Sequence, residues 1–220
     1  MSNNNNINTS PVTENQEQLV PLENLENWKV HEHDTDIRGW DFYANGEKVG
    51  KIENLIASTN QEKVKYVEVE LDEKMNEYRD FKYRQHLHQE YHNFYGTDQD
   101  RRVIVPIGVV EINNEQKKVV GSPNLNAQHF ANSPRYKNWS STPITPIHEI
   151  LVAKHYTDND ENYKNDYSGK EYNLAEYRSY PRIPNSRFYQ TDLFSRGSYL
   201  SRYRNATPSM TNFNSGMPKR

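Results

Sequence analysis

Three histidines lie within seven positions, His86, His88 and His92. On a helix, His88 and His92 stand four apart and share a face, the spacing at which two imidazoles grip one metal ion. On a strand, His86 and His88 share a face instead, and no single regular structure brings all three together. The neighbours Gln85, Gln89, Glu90 and Asn93 belong to a solvated polar face. The triplet is therefore a candidate metal site set against a plainer reading as wet surface. His31-Glu32-His33-Asp34 is a similar cluster whose plain reading is a strand end. His148-Glu149 follows Pro146 near a helix start, where a carboxylate complements the positive end of the helix dipole.

Other chemistry is poorly supplied. The chain has no cysteine, which removes disulfides, thiolate nucleophiles and cysteine-ligated metals. It has no G-x-S-x-G elbow and no glycine-rich phosphate loop. The expectation is a protein that is not an enzyme and carries no cofactor. The strongest charge signal is at the C-terminal end. From residue 178 onward there are eight basic residues against one acid, whereas residues 1–177 hold nineteen basic and twenty-nine acidic, so a net charge of −3 conceals a polarised chain. Arg178, Arg182, Arg187, Arg196, Arg202 and Arg204 alternate with Tyr189, Tyr199, Tyr203 and other aromatics. Arginine and aromatic planes together suit an anionic partner such as nucleic acid, a lipid surface or an acidic protein. The competing reading is a solvated tail that folds against its own acidic body.

The elements that would position these groups occupy only part of the chain. Of 220 residues only 33% are hydrophobic, against roughly 45–50% with glycine included for a typical globular domain. The deficit has an address. Residues 1–19 are mostly Asn, Gln, Glu, Thr and Ser, the composition of a disordered arm, and they carry neither the basic nor the apolar stretch of a secretory signal. No run approaches the ~20 apolar residues of a membrane span, and the expected location is the cytoplasm. Residues 158–220 read as a disordered tail, basic from 178.

Between these arms, short β-branched runs alternate with tight turns. Trp28-Lys29-Val30 opens a strand. Asp41-Phe42-Tyr43 and Lys48 to Ile52 flank Asn45-Gly46, a strong hairpin signal because both residues tolerate positive φ. From Lys63 to Leu71, Val67, Val69 and Leu71 alternate with Glu68 and Glu70, predicting one buried and one wet face. Arg102 to Ile112 is interrupted by Pro106 and Gly108, predicting two strands meeting at a bend or bulge. Lys117 to Val120 follows the Asn113-Asn114 turn. Together these predict a mainly β fold, a small antiparallel barrel spanning 20–121. An aromatic insertion at 72–100 reads as a helix or, preferably, extended strand arms. Residues 122–157 read as a linker with short helices over 126–132 and 146–156, the latter packing on the barrel.

Several of these residues carry a family resemblance. Gly39-Trp40 followed by Gly46, Val49, Gly50, Lys51 and Ile52 resembles the opening of a PRC-barrel domain. Val64 to Val69 and Val103 to Gly108, with Pro106 and Gly108, resemble its later landmarks, and Ile147-His148-Glu149 and His155-Tyr156 resemble its closing segment. The likeness runs from about Pro21 to Tyr156 and points to the soluble, stand-alone bacterial type, without the transmembrane helix of the photosynthetic reaction-centre H subunit. It implies a binding or adaptor protein. The precedents it brings are the H subunit's barrel on a membrane complex, a ribosome-maturation factor whose barrel binds a ribosomal protein, and stand-alone members associated with stress responses. Neither the partner nor the oligomeric state follows from it.

Overall fold

The computed structural model describes residues 19–26, 28–30, 35–80, 99–135, 144–159, 192–194 and 206–208. Nine strands are present among them: β1 (Leu19–Pro21), β2 (Trp28–Val30), β3 (Asp41–Ala44), β4 (Glu47–Ser58), β5 (Lys63–Leu71), β6 (Arg102–Pro106), β7 (Val110–Asn113), β8 (Lys118–Gly121) and β9 (Ala206–Pro208). Seven of them form one sheet in the order β6-β5-β4-β3-β8-β7, with β1 alongside β4, while β2 pairs with β9. Among the described residues two α-helices come after the main run of strands, α1 (Ala127–Ala131) and α2 (Pro146–Asn159).

The mainly β expectation holds, but the all-antiparallel barrel does not. Strands β3 and β8 run parallel, with Phe42 opposite Val119, and β6 and β7 end an open path. The cause is local. Pro106 and Gly108 do produce the expected bend, a single 3-10 turn over Ile107–Val109. Because it bends the chain without reversing it, β7 keeps the sense of β6 relative to its neighbours. The next hairpin then delivers β8 to β3 in parallel register.

Turn chemistry behaves as its residues demand. Asn45 and Gly46 both have positive φ, 51° and 83°, the primed geometry whose twist suits a two-residue hairpin. Gly50 meets a different demand: a Cβ there would stand 2.2 Å from the Glu70 carbonyl oxygen on β5. Strand β4 runs twelve residues, past the expected end at Ile52, with irregular register beside Asn54 and Ala57.

Strand β5 corrects a second expectation. Val67 pairs with Leu55 and Val105, and Val69 with Ile52 and Val103, placing aliphatic side chains on the core face. The opposite face is not wet: Tyr66 and Glu68 are buried as well. Helix α2 packs against β6 and contributes Ile150, Val152, Ala153 and Tyr156 to the same core. Its start follows its sequence, with Pro146 in the first turn and the Thr145 hydroxyl accepting from the His148 N–H at 3.3 Å. Helix α1 is capped reciprocally: Asn126 Oδ1 accepts from the His129 N–H, and His129 Nδ1 accepts from the Asn126 N–H.

Two further differences concern the arms. At the start of the 72–100 insertion, Glu73–Tyr78 forms a 3-10 helix with Met75 buried, not an extended arm; residues 81–98 lie outside the described residues. Within the segment read as a disordered tail, Asp192–Phe194 forms a 3-10 turn whose Leu193 and Phe194 are buried in the core. Two adjacent apolar side chains are enough to seat a segment whose average composition is polar.

Gly50→Ala must push apart two hydrogen-bonded strands. It is expected to lower unfolding stability by about 3 kcal/mol in urea titrations; an unchanged midpoint would contradict the close approach assigned to this residue.

Candidate functional site

The covered side of β5 brings three buried polar side chains together, Tyr66, Glu68 and Glu149. The Tyr66 hydroxyl donates to Glu149 Oε1 at 2.8 Å, joining the strand to the first turn of α2 across 83 residues of sequence. Glu149 is fully buried, so its carboxylate faces the sheet and does more than complement the helix end. The Tyr66 ring also meets Phe194 edge to face, with centroids 5.3 Å apart. Two residues further along β5, Glu68 is only 1% exposed and takes a charge-assisted bond from Arg102 at 3.1 Å. Glu70 comes next on this face, with Arg101 at 2.6 Å. Along one strand face the sequence Tyr66, Glu68, Glu70 thus passes from a sealed hydrogen bond to a half-exposed ion pair.

Helix α2 carries two buried histidines. His155 Nε2 lies 2.8 Å from the His129 carbonyl; since a carbonyl only accepts, Nε2 bears a proton and donates it. Burial lowers both His148 and His155 to a pKa of about 4. Tyr156 donates to Ser133 Oγ at 3.2 Å, and burial pushes its phenol well above the usual range. Its ring rests on Phe130, which meets Phe42 edge to face.

A second polar node holds the base of the insertion. Arg135, 1% exposed, donates from Nη1 to Asn76 Oδ1 at 2.9 Å and to the Asp100 carbonyl at 3.1 Å, and from Nη2 to the Ala131 carbonyl at 3.2 Å. The Asp80 N–H donates to Asn132 Oδ1 at 2.9 Å. Both ends of the 81–98 stretch are therefore tied to the segment around α1, and exposed Tyr78 stands at its start, bonded to Glu47.

The residues singled out by sequence fall into two groups. His86, His88 and His92 lie outside the described residues, as do Arg178, Arg182, Arg187, Tyr189, Arg196, Tyr199, Arg202, Tyr203 and Arg204. Among the described residues no group of three or more His, Asp or Glu is placed to hold a metal. The family-motif residues are all placed. Gly39 and Trp40 exchange backbone bonds with Ile52, at 2.7 and 2.9 Å. Gly46 and Gly50 serve the turn and the close approach, and Lys51 is exposed on β4. Pro106 pairs with Tyr66 at the end of β6, and Gly108 is buried in the bend. Sequence reasoning did not single out Tyr66, Glu149, Arg135, Leu193 or Phe194 as partners. The legible signal was the Leu193-Phe194 dipeptide, an apolar pair in polar surroundings.

A family model for the PRC-barrel domain matches residues 29–121, from within β2 to the last residue of β8. The chain therefore carries a PRC-barrel domain, and residues 29–121 belong to that family. No curated protein matches the chain. Tyr66, Glu68 and the Ile107–Val109 bend lie inside the matched segment, whereas Glu149, His155 and Phe194 lie beyond it. The covered face is thus built jointly by the family domain and by segments C-terminal to it.

The two buried imidazoles set the acid response. In the unfolded chain each takes up a proton near the ordinary value of 6.5, whereas in the folded protein each resists protonation until about pH 4. Stability should therefore fall as pH drops through this window, by on the order of 3 kcal/mol for each histidine. His148→Leu should flatten the slope measured by denaturant titration between pH 7 and 4; an equal slope would contradict neutral burial of that ring.

Proposed function

We propose that the protein is a non-enzymatic, cytoplasmic binding module whose PRC-barrel domain docks a protein partner, in the manner of the cytoplasmic domain of the reaction-centre H subunit that the sequence resembles. The observation that carries this reading is the family match over 29–121. The use made of buried polar groups supports it. Tyr66 is joined to Glu149, Glu68 to Arg102, His155 to a backbone carbonyl, and Arg135 to three acceptors. Each joins one element to another, which is the work of a rigid scaffold. Helix α2 covers the β5–β6 half of the sheet. The β3–β8 half presents side chains outward: Lys118 lies 4.8 Å above the half-buried Tyr43 ring, and Asp41 pairs with Lys48 at 2.8 Å.

A second reading rests on the charge asymmetry of the chain: an anionic partner, RNA foremost, held by the Arg/Tyr segment from 178 onward. The two readings separate in one comparison. Removing residues 178–220 is unsuitable, because it also removes the buried Leu193 and Phe194. Replacing Arg178, Arg182, Arg187, Arg196, Arg202 and Arg204 by glutamine keeps both. Affinity capture followed by mass spectrometry should retain the wild-type protein partner with this variant, while any retention on RNA should fall. Loss of the partner together with RNA binding would sink docking through the barrel in favour of the second reading.

A further inference from the structure

Helix α1 is capped by a side chain that titrates. The bond to the cap residue's own N–H is ordinarily taken by a glutamate or glutamine three residues on. Here an imidazole takes it: His129 Nδ1 accepts the Asn126 N–H at 3.0 Å, while the His129 N–H donates to Asn126 Oδ1 at 3.2 Å. A ring nitrogen accepts only when it carries no proton, so this cap requires a neutral imidazole with its proton on Nε2. A proton on Nδ1 sets two donors against each other and puts a cation in the first turn, against the helix dipole.

The helix so capped holds other segments. The His129 carbonyl accepts from His155 Nε2 on α2 at 2.8 Å. His155 itself resists protonation, through burial first and also through the charge of His129, so His129 is the ring of this pair that takes up the first proton. At the far end of α1, Asn132 Nδ2 donates to the Gln128 carbonyl at 3.0 Å, and Asn132 Oδ1 accepts the Asp80 N–H at 2.9 Å. Arg135 joins the Ala131 carbonyl to that of Asp100. A helix of five residues is too short to persist on propensity alone, so its caps and packing decide whether it stays formed. Its apolar face, Ala127, Phe130 and Ala131, is buried; the proton acts on the polar side. Helix α1 also packs on the Glu73–Tyr78 3-10 helix, on β3 and on β4. Of the charged and titratable groups there, Lys74 and Tyr78 are bonded to Glu47, Lys48 pairs with Asp41, and Lys118 lies over Tyr43. Glu73, Glu77, Lys51 and Glu53 complete those elements. On α2, Glu149 is bonded to Tyr66 and Tyr156 to Ser133, His148 is buried and Lys154 is exposed.

We infer that His129 is a proton-operated latch. Neutral, it closes the cap of α1 and keeps the Asp80 end of the 72–100 insertion tied down; protonated, it opens the cap and loosens that tie while the sheet stays folded.

The test uses the full chain labelled with nitrogen-15. Between about pH 7.5 and 5, where imidazoles ordinarily titrate, the His129 Nδ1 resonance should move from that of a bare acceptor nitrogen to that of a protonated one. The Asn126 amide should titrate with the same midpoint. Over this range the Asp80 amide should lose protection from hydrogen exchange at least about fivefold relative to core amides of β5, which report global unfolding. His129→Gln keeps an acceptor at this position without a titrating proton, and both responses should vanish in it. A ring that stays neutral to pH 5, an Asn126 amide that does not follow it, or an Asp80 amide that loses protection only in step with β5 would overturn the latch. Persistence of the responses in His129→Gln would assign them to another group and overturn it equally. Should that variant misfold, the wild-type titration decides alone.

Discussion

The Tyr66 side chain makes two contacts that no residue of the sheet could make for it: a hydrogen bond from its hydroxyl to Glu149 and an edge-to-face contact with Phe194. Both arise from the burial of β5 on two faces. One face packs on the aliphatic interior. The other carries Tyr66 and Glu68, which lose water when covered and must find partners within the protein. The chain supplies them from two places, Arg102 on the neighbouring strand and Glu149 on α2, while Phe194, much later in sequence, adds an apolar contact to the Tyr66 ring. The C-terminal elements are thus bound to the domain by the polarity of one strand face as much as by burial.

The bend at Ile107–Val109 has a comparable reach. By turning β6 into β7 without reversing the chain, it makes β3 and β8 parallel and leaves β6 and β7 at the two ends of the sheet. It also forms part of the seat for Leu193 and Phe194. Pro106 supports this geometry because its fixed φ suits the start of the bend and it has no N–H to leave unpaired. One local feature therefore sets both the sheet topology and the place where the chain returns.

Much of this was readable from residue types. Asn45-Gly46 announced its hairpin, Pro106 and Gly108 their bend, Asn126 and Pro146 their helix starts, and Gly46, Gly50 and Lys51 the family. What failed to show was partnership across long sequence separation. The alternation of Val67 and Val69 with Glu68 and Glu70 is that of a strand with one wet face. Nothing local says that Arg102 will neutralise Glu68, or that α2 will cover Tyr66. The direction of β8 was hidden for the same reason, since the bend itself was legible but which distant strand β8 would join was not. Of the candidate site residues, the glycines, Trp40 and Pro106 of the family motif have structural work, Lys51 is exposed on β4, and the histidine triplet and the tail arginines and tyrosines lie outside the described residues.

Taken together, these features describe a PRC-barrel domain whose second sheet face is closed by segments C-terminal to it. Tyr66 reports on this closure because it touches both C-terminal partners. Nuclear Overhauser spectroscopy of the full chain should give cross-peaks from the Tyr66 ring protons both to the Glu149 side chain and to the Phe194 ring. Cross-peaks from Tyr66 to its strand neighbours Ile56 and Pro106 alone, with none to residues beyond 145, would contradict the account.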